Sequence, residues 1–240
     1  CATCSPLCLF TYTCETQQDA KQEAAKEEAR SKRAVEVAKK YVPAELGSRE
    51  SKYNILLIPA SPKSIESDNR ELESLEVGKE AGDIQDIFGE KWAKRRFAVQ
   101  ILPERKSTNM TKSIMRQFST HFEGMSGERS DTHLLHISSH GKVGGFGKGK
   151  ILLYDSWVDP CPIIEGACPK IHAVVANACE SYALVECLSQ HVPLVIVTTE
   201  RVKDKTAARF SQHFYEFLAD GCSFGEAFEL TNQQLQAVQA

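Results

Sequence analysis

Ile171-His-Ala-Val-Val-Ala-Asn-Ala-Cys-Glu-Ser181 is mostly apolar and partly β-branched, the composition of a strand buried on both faces of a parallel sheet. The apolar run stops at Cys179, where Glu180 and Ser181 change the periodicity. In an open α/β sheet, ligands and reacting groups gather beyond the carboxyl ends of the strands. On its own, a cysteine at the end of a buried strand is a packing residue. It becomes a nucleophile only where a base raises its thiolate fraction.

Residues 131–141, Asp-Thr-His-Leu-Leu-His-Ile-Ser-Ser-His-Gly, form a second apolar run, which ends in His140-Gly141. Two parallel neighbouring strands would put His140 and Cys179 on one edge of the sheet, imidazole beside thiol. Gly141 lets the backbone approach closely, so its N–H and that of Cys179 are candidate oxyanion donors. A metal reading of His136, His140 and Cys179 fails on distance, because an i−4 ligand lies about 13 Å down a strand. The expectation is therefore no metal and no cofactor.

Working outward, strands alternate with helices, which implies a parallel sheet with helices on both faces. Residues 55–60 read as the first strand, 71–92 as an amphipathic helix (Leu72, Leu75, Val77, Ala81, Ile84, Ile87, Phe88), 97–102 as the second strand and 111–122 as a second helix. Residues 141–150 are too glycine-rich to hold one shape and read as a mobile flap or a hairpin tip; they lack the phosphate-loop pattern. Residues 151–154 read as a short strand, 155–170 as irregular, 183–188 as a short helix and 193–199 as a further strand. A helix over 205–219 is expected to be capped by Asp204 and stopped by Gly221. In a last helix from Phe224, Ser223 and Glu226 match a capping box.

The alternating body spans residues 53–240. Before it, residues 17–46 are rich in Ala, Glu, Lys and Arg and read as a charged, solvated helix and linker. Residues 1–16 hold Cys1, Cys4, Cys8 and Cys14, whose unequal gaps lack the paired knuckles of a zinc site. Cys1, Cys4 and Cys8 would form one stripe of a helix suited to packing or to a partner. Cys1 rather than Met opens the chain, as in a processed or trimmed polypeptide.

The chain has 240 residues, a net charge of −3 and nine cysteines. No basic excess points to nucleic acid, and no apolar run reaches the roughly 18 residues of a membrane span. Cys161, Cys168, Cys179, Cys187 and Cys222 are scattered through α/β sequence, which reads as reduced thiols and a cytoplasmic protein.

His-Gly at one strand end and Ala-Cys-Glu-Ser at the next together resemble the CHAT domain, a caspase-like peptidase module. The resemblance extends through residues 193–199, Asp204, Phe214-Tyr215, Leu218, Gly221 and Glu226-Ala227, and covers about residues 53–238. It implies an α/β caspase-hemoglobinase fold, a mostly parallel sheet flanked by helices on both faces, here with an N-terminal helical extension. It further implies a cysteine endopeptidase in which His140 is the base, Cys179 the nucleophile, and Gly141 and Cys179 the oxyanion donors. A protein or peptide substrate is expected, with control by a regulatory partner or a linked sensor module. Two departures stand out. Glu200 occupies a position where the family commonly has Trp, and no helical repeats accompany the domain. Glu200, Asp155 and Asp159 are the candidate acidic contributors to substrate binding. A catalytically silent adaptor module, and a hydrolase or acyltransferase acting on a non-peptide ester or amide, are the rival readings.

Overall fold

A computed structural model describes residues 8–12, 53–61, 64–65, 70–89, 97–102, 132–153, 156–167, 171–199 and 202–239. The chain runs through β1 (Cys8–Tyr12), β2 (Tyr53–Pro59), the two-residue strands β3 (Ser64–Ile65) and β4 (Arg70–Glu71), α1 (Val77–Ile87) and β5 (Phe97–Ile101). Next come β6 (Thr132–Ser138), β7 (Gly141–Val143), β8 (Gly149–Leu153), β9 (Ser156–Val158), α2 (Cys161–Ala167) and β10 (Ala173–Asn177). A 3-10 turn at Ser181–Leu184 leads into α3 (Val185–His191), β11 (Leu194–Thr198), α4 (Asp204–Ala219) and α5 (Phe224–Gln239).

The main sheet has the order β1-β11-β10-β6-β2-β5, and every neighbouring pair is parallel. Alternation along the strands sends successive side chains to opposite faces. Leu57, Leu134, Val175 and Ile196 pack against Ala81 and Ile84 of α1, Phe210, Phe214 and Tyr215 of α4, and Phe224 and Phe228 of α5. Leu56, Leu135, Val174 and Val195 face the other way, onto Ile151 and Leu153 of β8, Ile164 of α2 and Leu188 of α3. Burial on both sides explains why these strands read as continuous apolar runs. The α/β class with helices on both faces of a parallel sheet is thus observed.

Several local expectations are corrected. Helix α1 starts at Val77, not at residue 71, because tertiary partners take the preceding N–H groups. Leu75 N–H donates to Ser61 Oγ at 2.7 Å and Glu76 N–H to Asp204 Oδ2 at 3.0 Å. Asp204 is therefore not a cap of its own helix, whose N-cap position is Lys203 with no side-chain cap. Residues 155–170, expected to be irregular, contain β9 and α2. Of the two readings of the glycine-rich stretch the hairpin tip is the one observed, and it is not shapeless: β7 and β8 pair antiparallel around it and β9 adds a third strand. Lys142 Nζ lies 3.9 Å from the centre of the Trp157 ring and clamps β7 to β9. Residues 8–12 are an edge strand beside β11, which removes Cys8 from the helical stripe expected for the N-terminal segment. The helices expected over 17–42 and 111–122 lie outside the described residues.

Other expectations are met. Gly221, at φ 94°, takes the left-handed conformation that ends α4. Ser223 and Glu226 exchange capping bonds, Glu226 N–H to Ser223 Oγ at 3.3 Å and Ser223 N–H to Glu226 Oε2 at 2.9 Å. No helix among the described residues is long and apolar enough to cross a membrane.

Cys161 and Cys187 are joined in a disulfide, contrary to the reading of both as reduced thiols. Their separation of 26 residues gave no sign that the start of α2 would meet α3. A formed disulfide is at odds with the reduced thiols from which a cytoplasmic setting was expected. A bridge of this span removes unfolded-state entropy, so the Cys187→Ser variant is expected to be less stable by about 3 kcal/mol. Urea unfolding of the variant beside the oxidised parent measures that difference.

Candidate active site

Ser138 and Asn177 are direct partners in the β6–β10 ladder, and Ser139 N–H continues the pairing onto Asn177 O at 3.3 Å. His140 and Cys179 each lie two residues beyond that pair, so they leave the sheet on the same rim from adjacent strands. The two tips are in main-chain contact. A side chain at Gly141 would run into the carbonyl oxygen of Cys179, and its Cβ would lie 3.1 Å from that of Ala178. Glycine is required here by close approach, as expected for a backbone that must reach the neighbouring tip.

Each side chain is held by a main-chain carbonyl. His140 Nε2 lies 2.9 Å from Glu73 O. A carbonyl can only accept, so Nε2 carries the hydrogen and Nδ1 is left as the basic nitrogen of the neutral ring. The Cys179 thiol donates to Val202 O across 3.8 Å. Imidazole and thiol are not bonded to one another in this resting arrangement, and such pairs commonly tighten only with substrate present.

The turn that carries Cys179 is stiff. Glu180 is the one non-glycine residue with positive φ among those described, at φ 55° and ψ 24°, a conformation sustained only where surroundings enforce it. Ser181 Oγ donates to Ala176 O and accepts from Thr198 N–H, both at 2.8 Å, and Thr198 Oγ1 bonds Ala178 O. Glu180 Oε2 accepts from Val143 N–H at 3.4 Å. Leu152 N–H bonds His140 O, and Gly144 N–H bonds Lys148 O, so Gly141 and Val143 fall at the alternate, non-bonded positions of the β7–β8 ladder. Their N–H groups therefore point away from β8. For Gly141 that is the side of the Cys179 turn.

Beneath the rim lies a buried polar layer. Asn177 Nδ2 donates to Glu80 Oε1 at 2.7 Å and to Ser211 Oγ at 3.2 Å. His136 Nε2 meets Ser138 Oγ at 2.6 Å and Glu80 Oε1 at 3.3 Å, and its Nδ1 lies 3.0 Å from the Tyr215 hydroxyl. Burial alone would push the Glu80 carboxyl up. The hydrogen bond and charge of His136, with hydrogen bonds from Ser211 and Ser138, outweigh it and hold the group below its ordinary value. Burial, followed by the charge of Glu80, pushes the Tyr215 phenol well above its usual range.

Of the sequence-derived candidates, His140, Gly141 and Cys179 share one rim of the sheet, with the main chain at Gly141 lying against that of Cys179. Asp159 is turned to the start of α2, where its Oδ1 accepts the Cys161 N–H at 3.0 Å. Asp155 and Glu200 lie outside the described residues. The sequence offers no side chain to orient His140 and leaves that task to a backbone carbonyl, which is Glu73 O; that it is Glu73, and that Val202 O holds Cys179, no side-chain pattern announces. Sequence reasoning missed the Glu80–Asn177 pair, joined across 97 positions. Cys179 and Cys222 are both free cysteines. Burial, then Glu226 and Asp220, push the Cys222 thiol up, so Cys222 is a slow internal reference for Cys179. Set against known proteins, the chain matches no family model and no curated protein.

Two outcomes follow from this geometry. A Gly141→Ala side chain must displace the Cys179 carbonyl, and the variant is expected to lose about 1–3 kcal/mol of stability, read by urea unfolding. The folded-state pKa of Glu80 is depressed, so its contribution is full above the unperturbed value of about 4.3 and is lost as pH falls through the lower folded value. Glu80→Gln should therefore be less stable than the parent at pH 7, with the gap closing in acid. Unfolding curves across that range check the sign.

Proposed function

We propose that the chain is a cysteine endopeptidase of caspase-like type, resembling the CHAT domain, with His140 and Cys179 as a catalytic dyad. The observation that carries this reading is the placement of the two residues, each two positions past the paired Ser138 and Asn177 on adjacent parallel strands. The Glu73 carbonyl supports it further, since by holding Nε2–H it leaves Nδ1 free to act as base.

In the proposed reaction an extended peptide lies across the strand ends. His140 Nδ1 takes the Cys179 proton, and the thiolate attacks the peptide carbonyl carbon. Charge develops on the carbonyl oxygen beside the N–H groups of Gly141 and Cys179. The C–N bond breaks as Nδ1–H protonates the leaving amine, which leaves a thioester on Cys179. His140 then deprotonates a water, whose attack on the thioester releases the acid and restores the thiol. The bond to Glu73 O holds the ring through both proton transfers. Glu200 and Asp155 remain the acidic candidates for selecting a substrate side chain, whereas the Asp159 carboxylate already caps α2. Control by a partner or a linked module belongs to the same proposal.

Cys179→Ala and His140→Ala should each reduce cleavage of a protein library by at least about a hundredfold while circular dichroism stays unchanged. An electrophilic peptide probe should label Cys179 well ahead of Cys222. Proteolysis that persists in Cys179→Ala would refute the assignment. Equal labelling of the two thiols, with no cleavage, would identify a silent interaction module. Turnover confined to non-peptide esters would identify a different hydrolase.

A further inference from the structure

On the face covered by α1 and α4, β6 presents His136 and Ser138 before His140, and β10 presents Asn177 before Cys179. Two residues of strand, about 7 Å, separate the buried polar layer from the dyad above it. From the placement of that layer we infer that Glu80 and Asn177 are positioning residues for His140 and Cys179, an inference that rests on the dyad proposed above.

The Asn177 amide ties the last residue of β10 to two helices at once, through Glu80 on α1 and Ser211 on α4. The segments leading into these same helices supply the carbonyls that hold the dyad, Glu73 O on His140 and Val202 O on Cys179. A second tie joins the segment leading into α1 to the first residue of α4, Glu76 N–H to Asp204 Oδ2 at 3.0 Å. The spacing of α1 and α4 is thus bracketed below the dyad by Asn177 and beside it by Asp204. That spacing sets the separation of the two carbonyls, and through them of imidazole and thiol. Apolar contacts would suffice to keep two helices on a sheet. A buried carboxylate with directional donors fixes a distance that apolar contacts leave loose.

The test is the rate at which iodoacetamide alkylates Cys179 relative to Cys222, resolved by peptide mass spectrometry on the folded chain. This ratio needs no peptide substrate. Glu80→Gln and Asn177→Ala should each lower it about tenfold, since displacing a catalytic pair by under an ångström is enough to cost that much. The double variant should be no slower than either single one, because the two residues act as a unit. A purely structural role would lower unfolding stability and leave the ratio unchanged, and that result overturns the inference. If Glu80→Gln fails to fold, Asn177→Ala, which deletes one amide at a strand end, decides the matter alone. His140→Ala separates the two proposals. If it slows Cys179 while the other variants do not, the dyad stands and the positioning role falls. If it leaves both Cys179 alkylation and cleavage of the protein library unchanged, the dyad itself is wrong and the positioning role falls with it. If it spares alkylation but abolishes cleavage, the pair forms only with substrate and the positioning role, argued for the free chain, falls alone.

Discussion

Main-chain pairing between β6 and β10 is the constraint on which the rest of the structure depends. A slip of one residue would turn every side chain of one strand to the opposite face. Here Leu134 to Asn177 holds a single unbroken register, Ala173 on Leu134 through Asn177 on Ser138. That register keeps His136, Ser138 and Asn177 on the α1 and α4 face, away from the apolar layer under α2 and α3. It also brings two chain ends out at one height, so that residues about forty positions apart share a rim.

The two faces of the sheet do different work. Under α1, α4 and α5 the core is largely aromatic, with the Phe210 and Phe214 ring centres 5.8 Å apart, and it includes the polar layer beneath the rim. The opposite face is aliphatic and carries the β7–β9 hairpin, where Gly149 packs tightly on Leu184 just after the Cys179 turn. Burial of one carboxylate is the main cost of the arrangement. Several donors converging on it offset that cost, where a single missing partner would leave a charge stranded in an apolar interior.

Much of the fold was legible because parallel strands buried on both faces must be apolar throughout. The runs at 55–60, 171–181 and 193–199 carried that signal, and the polar residues that end them marked the rim. What escaped was everything that depends on where distant segments meet. Glu80 read as one more charged position on an amphipathic helix, and only its packing against Asn177 makes it interior. Cys161 and Cys187 looked like two thiols among several until α2 and α3 came together. Glycines at 144, 145, 147 and 149 outweighed the alternating residues around them, although the Lys142–Trp157 contact holds that hairpin in shape. Residues 8–12 were too short and too rich in cysteine neighbours to read as a strand, and only the exposed edge of β11 gives them one to join.

The Cys161–Cys187 bond closes a covalent ring that contains β10, the Cys179 turn and the first half of α3. Any single backbone cut between those cysteines opens the ring without severing the molecule. The pieces would stay tethered, comigrate without reductant and separate once it is added. Maturation by nicking within this segment would thus leave no trace in the size of the intact protein: a cut before Cys179 would keep the fragment bearing the thiol tethered to the one bearing the imidazole, and a cut after it would leave both on one fragment.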